Sequence, residues 1–177
     1  FVPNNIIFLI DVSFSMKKLN KMEDLQESMR VLVDVLRGKD KVAVIAYNQH
    51  VSVLLESVSS DDKTIIRAAI DSLVPNGLTY GVKGIQHAYQ MAEKYYVTNG
   101  NNQIILATDG LFSETNQTLN ERQLNRLVRE MAENKNIYLS VVGFGEDKEA
   151  EKRMIKLAES GEGGYVKMEE GAVSRVA

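Results

Sequence analysis

The sequence predicts an α/β domain with a doubly wound, mostly parallel central sheet, one antiparallel edge hairpin strand and helices on both faces. Two observations carry this prediction. Four runs are apolar almost throughout, as in strands buried on both faces of a parallel sheet, and they lie at residues 6–10, 42–47, 104–107 and 137–142. Segments with a helical spacing of apolar residues lie between most of these runs, and strands that alternate with helices build parallel sheets.

The predicted helices follow from apolar residues that recur every three or four positions. The stripes begin, in chain order, at Met22, Ile66, Ile85, Leu124 and Ala150. Gly38 is expected to end the first helix. Thr118 and Glu121 have the spacing of a capping box and are expected to open the fourth helix, and Asp147 is expected to begin the fifth.

The hairpin is predicted from the stretch between residues 42 and 56. Two strand-like runs there flank the three residues 48–50, "NQH". This connection is too short for a helical crossover, so the two strands are expected to be antiparallel and to lie at the edge of the sheet.

Composition excludes several classes of function. The net charge is −3 and no cluster of Lys and Arg stands out, so nucleic acid is not an expected partner. The apolar runs are too short to cross a bilayer. There is no cysteine, which excludes disulfides, thiolate nucleophiles and cysteine-based zinc sites. Residues 1–177 are interpreted as a single domain and as a fragment of a longer protein.

Polar residues follow two predicted strands, and a third group lies in a loop before a helix. Asp11, Ser13 and Ser15 follow the first strand, and Asp109 follows the strand at residues 104–107. Thr79 lies in the glycine-bounded loop "NGLTYGVKG". Ligands of open α/β sheets bind at the carboxyl ends of the strands, so these side chains are expected to converge there.

Carboxylate and hydroxyl oxygens suit a hard cation such as Mg²⁺ or Mn²⁺, whereas zinc favours histidine or cysteine. The two histidines, His50 and His87, are expected to be surface residues. Taken alone, each motif has a simpler interpretation: Asp11 or Ser13 as the cap of the next helix, and "TDG" as a common turn. All three groups in this order favour a metal site.

"DVSFS" after an apolar strand, a later Thr in a glycine-rich loop and "TDG" after another strand resemble a von Willebrand factor type A domain. In that family these loops form the metal ion-dependent adhesion site, whose signature is Asp-x-Ser-x-Ser with a distant Thr and Asp. The sequence is similar in detail to bacterial cell-envelope members, which carry "FLIDVSGSM" and "ILATDG". The resemblance implies a Rossmann-like fold and a place in the bacterial cell envelope, either periplasmic or at the surface, with a lipoprotein anchor upstream as one option.

The resemblance also implies a role for each residue of the site. Asp11 would hold the ion directly or through water, and Ser13 and Ser15 would be direct ligands. Thr79 would be a ligand that engages in one conformation, and Asp109 would act largely through water. The ion would be Mg²⁺, with Mn²⁺ or Ca²⁺ as alternatives, and a partner protein would complete its coordination with an Asp or Glu carboxylate.

The chain departs from the family pattern at two places. Phe14 stands where glycine is usual between the two serines, and a positive φ there would strain a bulky residue. The chain continues as "TDGLFS", where "TDGDFN" is frequent, so one nearby carboxylate is missing. Neither change removes a predicted ligand.

The predicted function is a metal-dependent protein-binding module, for adhesion or assembly, and not an enzyme. The first alternative is a metal-dependent hydrolase that uses the same strand-end carboxylates. Against it, no motif places a histidine or lysine as a general base in these loops. The second alternative is a scaffold domain with an occupied but idle site.

Overall fold

The central sheet has six strands. A computed structural model describes residues 2–110 and 119–168. Among these residues the strands are β1 (Asn4–Asp11), β2 (Lys41–Tyr47), β3 (Val51–Ser59), β4 (Asn101–Thr108), β5 (Ile137–Gly143) and β6 (Glu162–Lys167). They form one sheet in the order β3-β2-β1-β4-β5-β6.

The pairing of the strands confirms the predicted fold class. Every neighbouring pair is parallel except β2 and β3, which form the antiparallel hairpin at one edge. The hairpin tip is closed by a 2.9 Å hydrogen bond from the Asn48 amide to the His50 carbonyl. A connection of three residues cannot return the chain for parallel pairing, which is why this strand alone runs in the opposite direction.

Within the described part of the chain five α-helices cover the sheet: α1 (Lys21–Val35), α2 (Lys63–Asp71), α3 (Gly81–Lys94), α4 (Glu121–Lys135) and α5 (Lys148–Ser160). Alternate residues of β1 show the two layers. Ile7 and Leu9 pack in the core under α3, α4 and α5, whereas Phe8 and Ile10 pack in the core under α1 and α2. Successive side chains of a strand point to opposite faces, so an apolar run is what a doubly covered strand requires.

The capping box of α4 differs from the sequence prediction. Asn120 caps the helix: its side chain accepts a hydrogen bond from the Gln123 amide at 2.9 Å, and Gln123 Oε1 accepts one from the Asn120 amide at 3.0 Å. The box predicted from Thr118 and Glu121 is therefore wrong, because Glu121 is already the first helical residue; Thr118 lies outside the described residues. Asparagine caps as well as threonine does, so the sequence contained two competing boxes. Asp147 caps α5 as predicted.

Strand β6 was not predicted from the sequence. It lies at the sheet edge opposite β3, and its residues alternate between exposed and half-buried. It opens with a glutamate and two glycines, which are poor strand formers. Gly163 is nevertheless required, because a Cβ there would overlap the backbone of Leu139 on β5.

The strand order fixes where ligands bind. From β1 the chain continues to β2 on one side, and β4 pairs with β1 on the other side, so the topological switch point lies between β1 and β4. Asp11 is the last residue of β1, and Asp109 follows the last residue of β4. Both predicted carboxylates thus lie at the crevice where open α/β sheets bind ligands. No helix within residues 2–110 and 119–168 is both long and apolar enough to span a membrane.

Candidate metal site

The loop after β1 brings three of the predicted oxygen ligands together. Asp11 is fully buried, and its Oδ1 accepts a hydrogen bond from the Ser13 amide at 2.9 Å. The Ser13 and Ser15 hydroxyl oxygens lie 3.1 Å apart. Neither Asp11 nor Ser13 caps α1, which begins only at Lys21 after a kinked 3-10 segment, Phe14–Asn20. Ser13 stands at the N-cap position of the 3-10 segment, but its side chain makes no capping hydrogen bond there, so a capping role does not account for this motif.

The loop that carries Thr79 is attached to the loop after β1 by two backbone hydrogen bonds. The Asn76 amide donates to the Val12 carbonyl at 2.8 Å, and the Phe14 amide donates to the Gly77 carbonyl at 2.9 Å. Thr79 lies two residues after Gly77 and is buried. Gly77 has φ +76°, a left-handed conformation that glycine adopts without strain. The glycine in this loop thus serves the turn that presents Thr79.

Thr108 joins the loop after β4 to the loop after β1. Its hydroxyl donates to Asp11 Oδ2 at 2.7 Å and accepts from the Gly110 amide at 3.0 Å. Asp109 lies between Thr108 and Gly110 in the sequence and is buried. It forms an ion pair with Lys21, in which Lys21 Nζ and Asp109 Oδ2 are 2.9 Å apart. The structure therefore places Asp11, Ser13, Ser15 and Asp109 at one end of the β1 and β4 strands, with the Thr79 loop attached beside them.

The electrostatics of the crevice are those of two buried carboxylates. Burial raises the pKa of the Asp11 carboxyl to about 6, and the charge of Asp109 raises it as well. The hydrogen bonds from Ser13 and Thr108 act in the opposite direction and favour the ionised form. At neutral pH Asp11 is thus an ionised carboxylate whose burial is unfavourable. A cation bound nearby would stabilise this ionised form.

The spacing and chemistry of the donors fit a small hard cation. An octahedral Mg²⁺ holds its ligands at about 2.0–2.1 Å, so two neighbouring ligand atoms lie about 3 Å apart. The Ser13 and Ser15 oxygens show this separation. Among the described residues no group of three or more His, Cys, Asp or Glu side chains is placed to hold a metal ion, so an ion at this site would depend on hydroxyl oxygens as well as carboxylates. His50 and His87 are both exposed.

Phe14 does not distort the loop. It is not among the residues with positive φ, so the chain accommodates a bulky side chain at the position where the family usually has glycine. Phe14 is 59% exposed, whereas the hydroxyl oxygens of the serines on either side of it lie 3.1 Å apart. The ring therefore stands beside the site and faces solvent.

Three residues of the crevice were missed by sequence reasoning. Thr108 had a signal, because it precedes Asp109 in the "TDG" motif. Tyr47 had a weaker one: it ends β2 in register with Asp11, and it is fully buried. Lys21 had none, since nothing in a lysine at the start of a helix indicates that it reaches back to the loop after β4.

Comparison with known proteins agrees with this geometry. Residues 5–173 match the sequence profile of the von Willebrand factor type A domain. Protein YfbK of Escherichia coli (strain K12) is 36% identical over 163 residues, which cover 92% of this chain and 28% of YfbK. This chain therefore spans little more than a quarter of the length of that relative.

Solved structures share the fold. The von Willebrand factor type A structure from Catenulispora acidiphila superposes with a TM-score of 0.78 at 23% identity, covering 97% of this chain and 40% of that one. Proximal thread matrix protein 1 from the mussel byssus, with a zinc-occupied MIDAS motif (the metal ion-dependent adhesion site), superposes with a TM-score of 0.73 at 21% identity, covering 98% and 43%. With the profile match over nearly its whole length, this chain belongs to the von Willebrand factor type A domain family.

Proposed function

We propose that this domain is a protein-binding module that holds a divalent cation at Asp11, Ser13, Ser15, Thr79 and Asp109 and recruits an acidic residue of a partner. The observation that carries the proposal is the pair of serine hydroxyls, whose oxygens lie 3.1 Å apart at the mouth of a crevice with two buried carboxylates. This is the spacing of two neighbouring ligands of one small ion.

The ligand set explains why an outside carboxylate would bind. Ser13, Ser15 and Thr79 are neutral, and the charge of Asp109 is shared with Lys21, so about one positive charge of a divalent ion would be left uncompensated. A bound ion of this kind is a Lewis acid with affinity for an anionic oxygen. The protein's part is to present the hydroxyls in a fixed loop, which the hydrogen bonds of Asp11 to Ser13 and Thr108 provide.

Mg²⁺ is the proposed ion, with Mn²⁺ or Ca²⁺ as alternatives, because all the proposed ligand atoms are hard oxygens. The mussel protein named above has zinc in its adhesion motif, so zinc belongs in any comparison of metals. Titration of chelator-stripped protein with Mg²⁺, Mn²⁺, Ca²⁺ and Zn²⁺ in turn measures the relative affinities for these four ions.

Binding is favoured over hydrolysis by the surroundings of the hydroxyls. A serine nucleophile requires a neighbouring base, and within the described residues Ser13 and Ser15 are hydrogen-bonded to each other, not to an imidazole. Lys21, the nearest cationic side chain to the carboxylates in the described chain, is paired with Asp109. We infer that the domain is one part of a longer protein, in line with its match to 28% of the length of YfbK. We propose the bacterial cell envelope as its location, which the resemblance to cell-envelope members implies.

A selection from a random peptide library tests the proposed function. Peptides are bound to the immobilised domain in Mg²⁺ and eluted with a chelator. The C-termini of the peptides are blocked. We expect the eluted sequences to be enriched in Asp or Glu, because only an acidic side chain then supplies an anionic oxygen for the ion. The Asp11→Asn domain, selected in parallel, is expected to yield no such enrichment. Chelator-eluted peptides without acidic residues would contradict the proposal, as would equal recovery from both domains.

Phe14 gives a second prediction, which concerns the partner and not the ion. Phe14→Ala is expected to lower the affinity of the domain for the selected acidic peptides about tenfold. Its metal affinity is expected to stay within about twofold of wild type. An exposed aromatic ring beside a binding site contributes about 1–2 kcal/mol when a partner covers it, and no ligand atom is removed. Calorimetry measures both affinities.

The matched control for Phe14 is Val31→Ala. Val31 is 58% exposed on α1, and its truncation also removes exposed apolar surface. We expect this variant to bind metal and peptides as the wild type does. If Phe14→Ala binds the peptides as tightly as Val31→Ala does, the ring is not part of the binding surface.

A further inference from the structure

The ion pair of Lys21 and Asp109 differs from the other ion pairs of the described chain. Its side chains are only 9% and 1% exposed, whereas every other pair within residues 2–110 and 119–168 has at least one side chain that is more than 25% exposed. Burying an ammonium group is costly unless a carboxylate compensates it. The fold therefore maintains a cation at the metal crevice at a cost in desolvation.

The backbone is shaped to bring Lys21 to this position. Leu19 and Asn20 have φ of 56° and 54°, so the chain makes two successive left-handed steps immediately before α1. On the other side, Gly145 has φ +89°, and a Cβ there would lie 3.2 Å from Lys21 Nζ and 3.3 Å from Cε. The loop after β5 thus leaves room for the lysine stem where a side chain would crowd it.

The position of the ammonium group has a consequence for charge. Asp11 and Asp109 carry two negative charges. With the positive charge of Lys21, the net charge of these three groups is one negative charge. A divalent ion would turn this total into one positive charge and would have to share Asp109 with an ammonium group 2.9 Å from Oδ2. Two cations beside one carboxylate repel each other, and this repulsion is strong where water is excluded.

We propose that Lys21 is a resident cation of the metal site: it compensates Asp109 when no ion is bound, and it weakens the binding of a divalent ion. Lys21 is thus a positioning residue that sets metal affinity and leaves the loaded site with a surplus positive charge for an outside carboxylate. This inference rests on the proposed metal site at Asp11, Ser13 and Ser15.

The test compares Lys21→Met and Lys21→Gln with the wild type by Mn²⁺ calorimetry on chelator-stripped protein. Methionine keeps an unbranched apolar stem, and glutamine keeps a hydrogen-bond donor without the charge, so a folding defect of one variant does not leave the other uninformative. We expect both to bind Mn²⁺ about tenfold more tightly or better. In chelator, Lys21→Met is expected to melt about 5–10 °C lower, because it leaves Asp109 buried without its cation.

Lys17→Met is the matched control. It removes the same charge from an exposed lysine four residues earlier, whose Nζ lies 6.0 Å from the centre of the Phe14 ring. It is expected to change neither Mn²⁺ affinity nor the melting temperature in chelator. A gain in affinity of the same size in Lys17→Met would overturn the proposal, because it would show that total charge, and not the position of Lys21, controls binding.

The outcomes separate this inference from the function on which it rests. If the wild type binds Mn²⁺ and Asp11→Asn does not, but both Lys21 variants bind as the wild type does or more weakly, the role of Lys21 is refuted and the metal site stands. If neither the wild type nor the Lys21 variants bind Mn²⁺, both proposals are refuted. Binding that appears only in the Lys21 variants would support the inference.

Discussion

Asp11→Asn is expected to abolish the response of the domain to divalent metal. Wild-type protein should gain about 1–3 kcal/mol in free energy of unfolding at saturating Mg²⁺, because the ion binds the folded state and not the unfolded chain. The variant should gain nothing, and its affinity should fall about 100-fold or more. Asparagine has nearly the shape of aspartate and retains an oxygen that can accept the hydrogen bond from Ser13. The change removes the anionic ligand and the oxygen that accepts from the Thr108 hydroxyl.

Without metal, Asp11→Asn is expected to stabilise the folded domain relative to the wild type. The pKa of Asp11 is raised to about 6 in the folded state, above its ordinary value, so ionising this group above that pH costs folding free energy. Asp11→Asn removes the cost and is expected to be more stable than wild type by about 1–3 kcal/mol in chelator at pH 7.5. Below the ordinary pKa of aspartate, near pH 4, this advantage should disappear.

Chemical denaturation of both proteins, with Mg²⁺ and with chelator, measures the two effects together. Asp61→Asn is a suitable control because Asp61 is exposed and lies away from the crevice, after β3. Equal stabilisation by Mg²⁺ of the wild type and Asp11→Asn would show that any ion binds elsewhere.

Gly84→Val is expected to cost about 3 kcal/mol or more in free energy of unfolding and to weaken metal binding as well. A Cβ at Gly84 would lie 2.8–3.1 Å from three atoms of Tyr47, which is fully buried under α3 and cannot move aside. Overpacking of this kind usually costs about 1–3 kcal/mol, and the branched side chain adds to it. Helix α3 begins two residues after Thr79, so a displaced α3 also displaces the loop that holds this proposed ligand.

Gly164→Val is the matched control for Gly84→Val. Nothing lies within 4 Å of a Cβ at Gly164, and its place on an edge strand suits valine. We expect its stability to change by less than about 0.5 kcal/mol. Denaturation of the two variants compares them directly. Similar stabilities would mean that α3 and Tyr47 separate at little cost, which contradicts the close packing described above.

The fold was predictable because its buried strands are apolar runs and its helices have a regular spacing of apolar residues. Strand β1 is a continuous apolar run, and the hairpin of β2 and β3 has a connection too short for any parallel alternative. Strand β6 was not predictable in the same way, since an edge strand buries only part of its surface and opens with residues of low strand propensity. The start of α4 was misplaced because two capping boxes of similar quality lie two residues apart.

The candidate site was predictable where residues with oxygen ligand atoms lie at the carboxyl ends of predicted strands. Asp11, Ser13, Ser15 and Asp109 follow strands that end at the same edge, so their convergence follows from topology alone. The partner of Asp109 was not predictable. The side chain of Lys21 reaches it only because two left-handed residues redirect the chain before α1, and a lysine in a helical first turn is normally solvated.

Anomalous diffraction from crystals soaked in Mn²⁺ tests the metal site most directly. We expect one strong anomalous peak in direct contact with the Ser13 and Ser15 hydroxyl oxygens, and no such peak in crystals of Asp11→Asn soaked in the same way. A peak elsewhere on the domain, or no peak at saturating Mn²⁺ in crystals whose carboxyl edge is open to solvent, would contradict it.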